Sequence, residues 1–140
     1  MDIQLINENL LDKVTSGAKE SERLRMNYNL HDSLAAKAQR LLNALEPGTQ
    51  LPIHKHNHTA ETYILLRGKI KVMFFDRNPE TGEAIETESI ILDPFNGEYG
   101  LHIPIAQWHT LEVLESGSVI FEVKDGPYTP LGEEDIIKQR

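Results

Sequence analysis

The stretch Gly48-Thr49-Gln50-Leu51-Pro52-Ile53-His54-Lys55-His56-Asn57-His58-Thr59-Ala60-Glu61 is followed by the apolar run Tyr63–Leu66 and closed by Gly68. Six histidines occur in the chain, and three of them fall within these few positions. In extended backbone His54 and His56 point to one face, because the side-chain period of a strand is two. That pair presents two imidazole nitrogens to one point if the face lines a cavity. Glu61, on an adjoining strand, can close a third corner. His109 opens a later strand after Pro104-Ile105-Ala106-Gln107-Trp108 and is the natural fourth member. Three imidazoles and one carboxylate, with no thiolate, suit Fe(II), Mn(II), Ni(II), Co(II) or Zn(II). In an octahedral ion that set leaves two positions for water, substrate or dioxygen, as a catalytic site requires. A single histidine is more often a surface or hydrogen-bonded residue. His31 and His58 read that way, and His102 reads as facing either a pocket or solvent.

Working outward, short strand-like runs are predicted at 39–45, 61–66, 69–76, 84–92, 109–114 and 118–124. Turn signals separate them, among them Glu46-Pro47-Gly48, Asn78-Pro79-Glu80-Thr81-Gly82 and Glu115-Ser116-Gly117. Many short strands with no helical pattern between them argue an antiparallel sandwich or barrel. Before them, Leu10, Leu11, Val14 and Ala18 recur on one helical face, predicting a helix over 5–20 with Asn7 or Asn9 as its cap. From Arg23 to His31 the period changes to two. Arg23, Arg25, Asn27, Asn29 and His31 then share one face and Leu24, Met26, Tyr28 and Leu30 the other. Two readings stand: an edge strand with a polar solvent face, or a strand whose polar face lines a pocket for an anionic or hydroxyl-rich ligand. The tail from Gly126, with Pro127, Pro130 and Gly132, reads as a loose wrap with one last helical turn.

The chain has 140 residues, 39% hydrophobic, which predicts one domain over 1–140. Within it, residues 1–22 are expected to be a helical segment, 23–125 a barrel and 126–140 a tail. Lys plus Arg is 14 against 22 for Asp plus Glu, a net charge of −8, and such a field disfavours a nucleic-acid partner. The absence of cysteine excludes disulfides, thiolate metal sites, Fe–S clusters and cysteine nucleophiles. No secretory pattern and no apolar run near the ~20 residues of a membrane span is present, so the expected compartment is the cytoplasm, with no membrane partner.

Gly48-x5-His54-x-His56-x4-Glu61-x6-Gly68 resembles the first cupin motif at every spacing, and Pro104-x-Ala106-x-x-His109 resembles the second. Ala106 stands where that family usually has glycine, and Val113 where it has asparagine. Arg23-Leu24-Arg25-x-Asn27-Tyr28-Asn29, Gln39–Leu45 with Pro47-Gly48, Trp108-His109-Thr110 and Phe121–Lys124 with Gly126-Pro127-Tyr128 are similar to WbuC-type cupin metalloproteins. The likeness covers roughly residues 5 to 131. It implies an all-β double-stranded β-helix, or jelly roll, with a short N-terminal helix. It also implies one divalent metal (Fe, Zn, Mn or Ni) held by His54, His56, Glu61 and His109. It moves the Arg23–His31 strand toward the pocket-lining reading, with Arg23, Arg25, Asn27, Asn29, Arg40 and His102 as expected ligand-binding residues. The expected function is binding of, or action on, a sugar or sugar nucleotide in surface polysaccharide metabolism of the O-antigen type. Tyr63, Tyr99, His58 and His102 are the candidates for moving a proton. An Fe(II) dioxygenase and a non-catalytic small-molecule-binding module are the alternatives, because the fold hosts all three classes. A homodimer is expected by analogy, since a jelly roll leaves sheet edges to cover.

Overall fold

The computed structural model describes residues 2–138. Helix α1 (Glu8–Glu20) precedes the strands β1 (Arg25–Asn29), β2 (Ala38–Leu45), β3 (Ile53–His54), β4 (Glu61–Arg67), β5 (Ile70–Arg77), β6 (Ala84–Leu92), β7 (Gly100–Ile103), β8 (Trp108–Val113), β9 (Ser118–Asp125) and β10 (Ile136–Ile137). They form two five-stranded antiparallel sheets, ordered β1-β2-β9-β4-β7 and β10-β3-β8-β5-β6. The spacing of strands and turns predicts an antiparallel sandwich or barrel, and the topology is the jelly roll that the cupin resemblance implies. No helix among the described residues is long and apolar enough to cross a membrane.

On β4, β8 and β9 the inward-facing residues change character along the strand, and that gradient positions the site. On β4 they run Glu61, Tyr63, Leu65; on β9, Lys124, Glu122, Ile120; on β8, His109, Leu111, Val113. The apolar ends meet in one cluster between the sheets, with Leu45, Leu65, Ile120, Ile70, Val72, Leu111 and Val113 all buried. The polar ends are left around a cavity at the other end of the barrel. Burial of the apolar half supplies the stability that allows the polar half to stay open.

Helix α1 begins at Glu8 rather than at residue 5, because the Asn7 side chain accepts the Leu10 N–H at 3.1 Å and caps the first turn. Its Leu11, Val14 and Ala18 bury against Leu42, Ala44 and Val119 on the outer face of the first sheet, with Met26 and Tyr28 beside them. Gly17 fits here because a Cβ would run into the Met26 side chain. Arg67, at the end of β4, ties the helix to the barrel. Its guanidinium donates to Glu8 Oε2 and Asp12 Oδ1 (2.8 Å each), to Thr15 Oγ1 (3.0 Å) and to the Gly117 carbonyl (2.9 Å). Because both carboxylates are largely exposed, Arg67→Ala should cost only about 1–2 kcal/mol, read as a lower urea midpoint with an unchanged slope.

The expected strand over 23–31 is shorter in the structure. Leu24 takes a left-handed backbone (φ 57°) and bends the chain into β1, which ends at Asn29. The tail holds the expected helical turn, as a 3-10 turn at Glu133–Asp135, but is not a loose wrap throughout. It ends in β10, which pairs with β3 so that Ile136 lies opposite His54.

Candidate metal centre

His54 and His109 lie opposite each other across the β3–β8 pair, with ring centroids 4.3 Å apart. His56 follows β3 in the loop toward β4, and Glu61 opens β4 in the other sheet. The cluster thus spans both sheets, which sequence spacing alone does not reveal. One ligand atom from each of the four residues falls within 4.8 Å of the others. His56 reaches the cluster although the strand stops at His54; the backbone N–H of Ala106 donates to the His56 carbonyl at 2.7 Å and holds that loop. Ala106 itself adopts φ 65°, a left-handed conformation that favours glycine.

The ring nitrogens are already oriented. Nδ1 of His54 lies 2.9 Å from the Pro52 carbonyl, and Nδ1 of His109 lies 2.9 Å from the Gln107 carbonyl. A carbonyl only accepts, so Nδ1 carries the proton and each Nε2 keeps its lone pair for the cluster. Burial first, and then the charge of His109, push His54 down to about 4, so it is neutral at pH 7. Burial would raise Glu61, but proton donation and positive charge from His109 and His56, when those rings are protonated, outweigh that and hold it well below the usual carboxylate range. Glu61 Oε1 lies 3.0 Å from His56 Nε2 and 3.3 Å from His109 Nε2. Even so, Glu61 Oε1 and His109 Nε2 are buried without a hydrogen bond of acceptable angle. Imidazole nitrogens converging on a carboxylate, with Glu61 Oε1 and His109 Nε2 buried and unpartnered, are what a shared divalent cation satisfies.

The cluster opens into a cavity of about 800 Å³. Arg23, Arg25 and Asn27 line it, as the pocket-lining reading expects. The register explains this: Arg25 lies opposite Leu45 and Asn27 opposite Asn43, both inward positions, while Met26 and Tyr28 lie under α1. Three other expected ligand-binding residues lie elsewhere. Asn29 shares the face but is exposed beyond the cavity lining. Arg40 is exposed, in alternation with the inward Asn43 and Leu45, and contacts His31 only through its backbone. His102 is exposed, opposite Thr62, whose hydroxyl is 2.9 Å from its Nδ1. His58 and Tyr99 are also exposed, leaving Tyr63 as the one proton-transfer candidate lining this cavity. Burial, followed by the charges of Glu61 and Glu122, pushes the Tyr63 phenol well above its ordinary value, so it is a donor at neutral pH.

Glu122 and Lys124, both lining the cavity, were missed as candidates. The signal was available in β9, where Ser118, Ile120, Glu122 and Lys124 share the inward parity. Glu122 is buried and accepts from Asn43 Nδ2 at 2.9 Å; burial, then the charge of Glu61, raises its pKa.

The chain has a jelly-roll fold of the cupin type, with four residues placed where they could hold a metal ion. The chain belongs to the family described as a domain of unknown function, DUF6016, which matches residues 6–87. No curated protein matches it. Among solved structures it is similar to the capsular polysaccharide assembling protein CapF from Staphylococcus aureus, at 18% identity and TM-score 0.57, over 79% of this chain and 30% of that one. It is also similar to Lactobacillus farciminis oxalate decarboxylase, at 18% and 0.56, over 78% and 30%. A third is the Schizosaccharomyces pombe Cnp3 cupin domain, at 10% and 0.50, over 74% and 66%. At these identities the likeness is one of fold. The chain spans less than a third of CapF and of the decarboxylase.

Proposed function

We propose that this chain is a WbuC-type cupin that holds one divalent metal on His54, His56, Glu61 and His109 and binds, or acts on, a sugar or sugar nucleotide. The observation that carries the metal reading is the convergence of two pre-oriented imidazoles, a third imidazole and an ionised carboxylate on one point. What supports the sugar reading is the remainder of the cavity. Asn27, Asn43, Thr110 and Glu122 offer donors and acceptors for hydroxyls, and CapF, a capsular polysaccharide assembling protein, shares the fold. A bound metal supplies Lewis acidity toward a carbonyl or a pair of hydroxyls. Around it the chain orients the ligand through Asn27 and Asn43 and holds protons on Tyr63 and Glu122, both inside the cavity. The same donor set suits an Fe(II) dioxygenase, and metal identity together with oxygen uptake distinguishes the two chemistries.

Elemental analysis of protein purified without chelator or affinity metal should find close to one divalent metal per chain. Zinc, manganese or nickel sends the search to sugar nucleotides, and iron sends it to oxygen uptake. No metal, even after reconstitution, overturns the proposal.

A further inference from the structure

The cavity carries more positive charge than the metal cluster needs. Arg23, Arg25 and Lys124 all line it, and among the described residues none of the three is ion-paired with a carboxylate. This is unexpected in a chain with 22 acidic residues and a net charge of −8. The two cavity carboxylates are occupied elsewhere, Glu61 between two imidazoles and Glu122 on Asn43.

The Arg25 guanidinium is also built in. Arg25 Nη1 donates to the Gln50 carbonyl at 2.9 Å and to Thr49 Oγ1 at 3.4 Å, and that hydroxyl in turn donates to the Arg23 carbonyl at 2.6 Å. One edge of the Arg25 guanidinium is thereby fixed, and its remaining donors have no protein partner among the described residues. The Arg23 side chain has no hydrogen bond there either. Burial and the charge of Arg23 both act against the Arg25 cation, so the fold holds two like charges together without compensation. Leu24, between them, sits at φ 57° and is pinned by Leu24 N–H to Ser21 O (3.0 Å) and Glu46 N–H to Leu24 O (2.9 Å). A left-handed leucine is unfavourable, and such strain persists where the surroundings enforce it. Farther in, Asn43 Oδ1 is buried with no donor, as an acceptor facing a ligand hydroxyl would be.

We propose that Arg23 and Arg25 form a phosphate-binding subsite in the same cavity as the His/Glu cluster but separate from it, so that the natural ligand is a phosphorylated, hydroxyl-bearing molecule spanning the two. This rests on the reading of the cluster as a metal site and of the ligand as a sugar. Phosphate is favoured over carboxylate because a dianion offsets two adjacent cations, and guanidinium forks match its oxygens.

The test is calorimetric titration of the as-purified protein with inorganic phosphate, beside acetate. Wild type should bind one phosphate per chain and acetate far more weakly. Arg23→Gln should weaken phosphate binding about tenfold, and Arg23→Gln/Arg25→Gln about a hundredfold or beyond detection. Arg23 makes no side-chain bond in the protein, so its variant remains informative even where loss of the Thr49 and Gln50 contacts unfolds the double variant. His54→Ala/His56→Ala should leave phosphate affinity within about threefold of wild type. Unchanged affinity in Arg23→Gln, binding that vanishes with the histidine pair, or acetate binding as tightly as phosphate would each overturn the subsite. Elemental analysis of the same samples scores the metal reading separately, so either can fail alone.

Discussion

Between pH 6.5 and pH 4 the metal-free protein is expected to lose on the order of 3 kcal/mol of stability through His54 alone. Burial and His109 lower this imidazole from 6.5 to about 4 in the folded chain. The unfolded chain binds the proton first, so the contribution is complete above 6.5 and is lost progressively as the pH falls to 4. Glu61 has the same sign in a lower window. It is held below its ordinary value of 4.5, so its contribution is present above that pH and is lost below it. Glu122 opposes both. Its folded carboxyl is raised, so its contribution is complete below 4.5 and is lost as the pH rises through its folded value. Urea unfolding in chelator at pH 7, 5.5 and 4.5 measures the net slope, and His54→Ala should flatten it above pH 4.5. A His54→Ala variant whose pH slope equals that of wild type would show His54 protonating without cost and would refute the neutral, buried imidazole. Metal should hold stability up at first and then make the loss steeper, because protons compete directly for the same Nε2 lone pairs.

The sequence makes the cluster legible because His54, His56 and Glu61 stand at short motif spacings and His109 falls at the start of a later strand, although His56 itself lies in the loop after β3. Which face of β1 looks inward is a different problem. Alternation divides Arg23, Arg25, Asn27 and Asn29 from Met26 and Tyr28, yet ordinary edge strands turn their polar side to water. Here α1 occupies the outer face and takes Met26 and Tyr28, so the polar side is left to the cavity. Arg40 was assigned to the pocket by its place in a shared segment. Its parity on β2, set by pairing with β1 and β9, sends it outward instead. Strands β3 and β10 have two residues each and therefore no period to read. Their pairing is decided by the tail. The Lys55 N–H donates to the Asp135 carbonyl at 3.0 Å and Asn57 Nδ2 donates to Asp135 Oδ1 at 2.6 Å, a contact some 80 residues apart along the chain. Glu122 was overlooked for a related reason: a carboxylate in a mostly apolar strand reads as exposed until the sheet register places it opposite Tyr63.

Two carboxylates face the same cavity, and their substitutions should behave in opposite ways. Glu61→Ala is expected to lower metal affinity by more than the ~10–100-fold that loss of a supporting partner costs, because it removes the cluster's only anion. Three imidazoles then remain, with no carboxylate to offset a divalent ion. Glu122→Gln should leave metal content near wild type, since Glu122 is engaged with Asn43 and the amide can preserve that hydrogen bond by presenting its oxygen. Its effect belongs on ligand binding, where a carboxyl able to hold or give up a proton becomes an amide that cannot. Metal content by elemental analysis, with thermal unfolding in the presence and absence of the metal, separates the two. If both variants retain metal, the ion is not held by Glu61. If both lose it, the cavity attracts a cation through general negative charge, and the four-residue ligand set is wrong. Loss in Glu61→Ala with retention in Glu122→Gln assigns the ion to the carboxylate that the two sheets bring against His56 and His109.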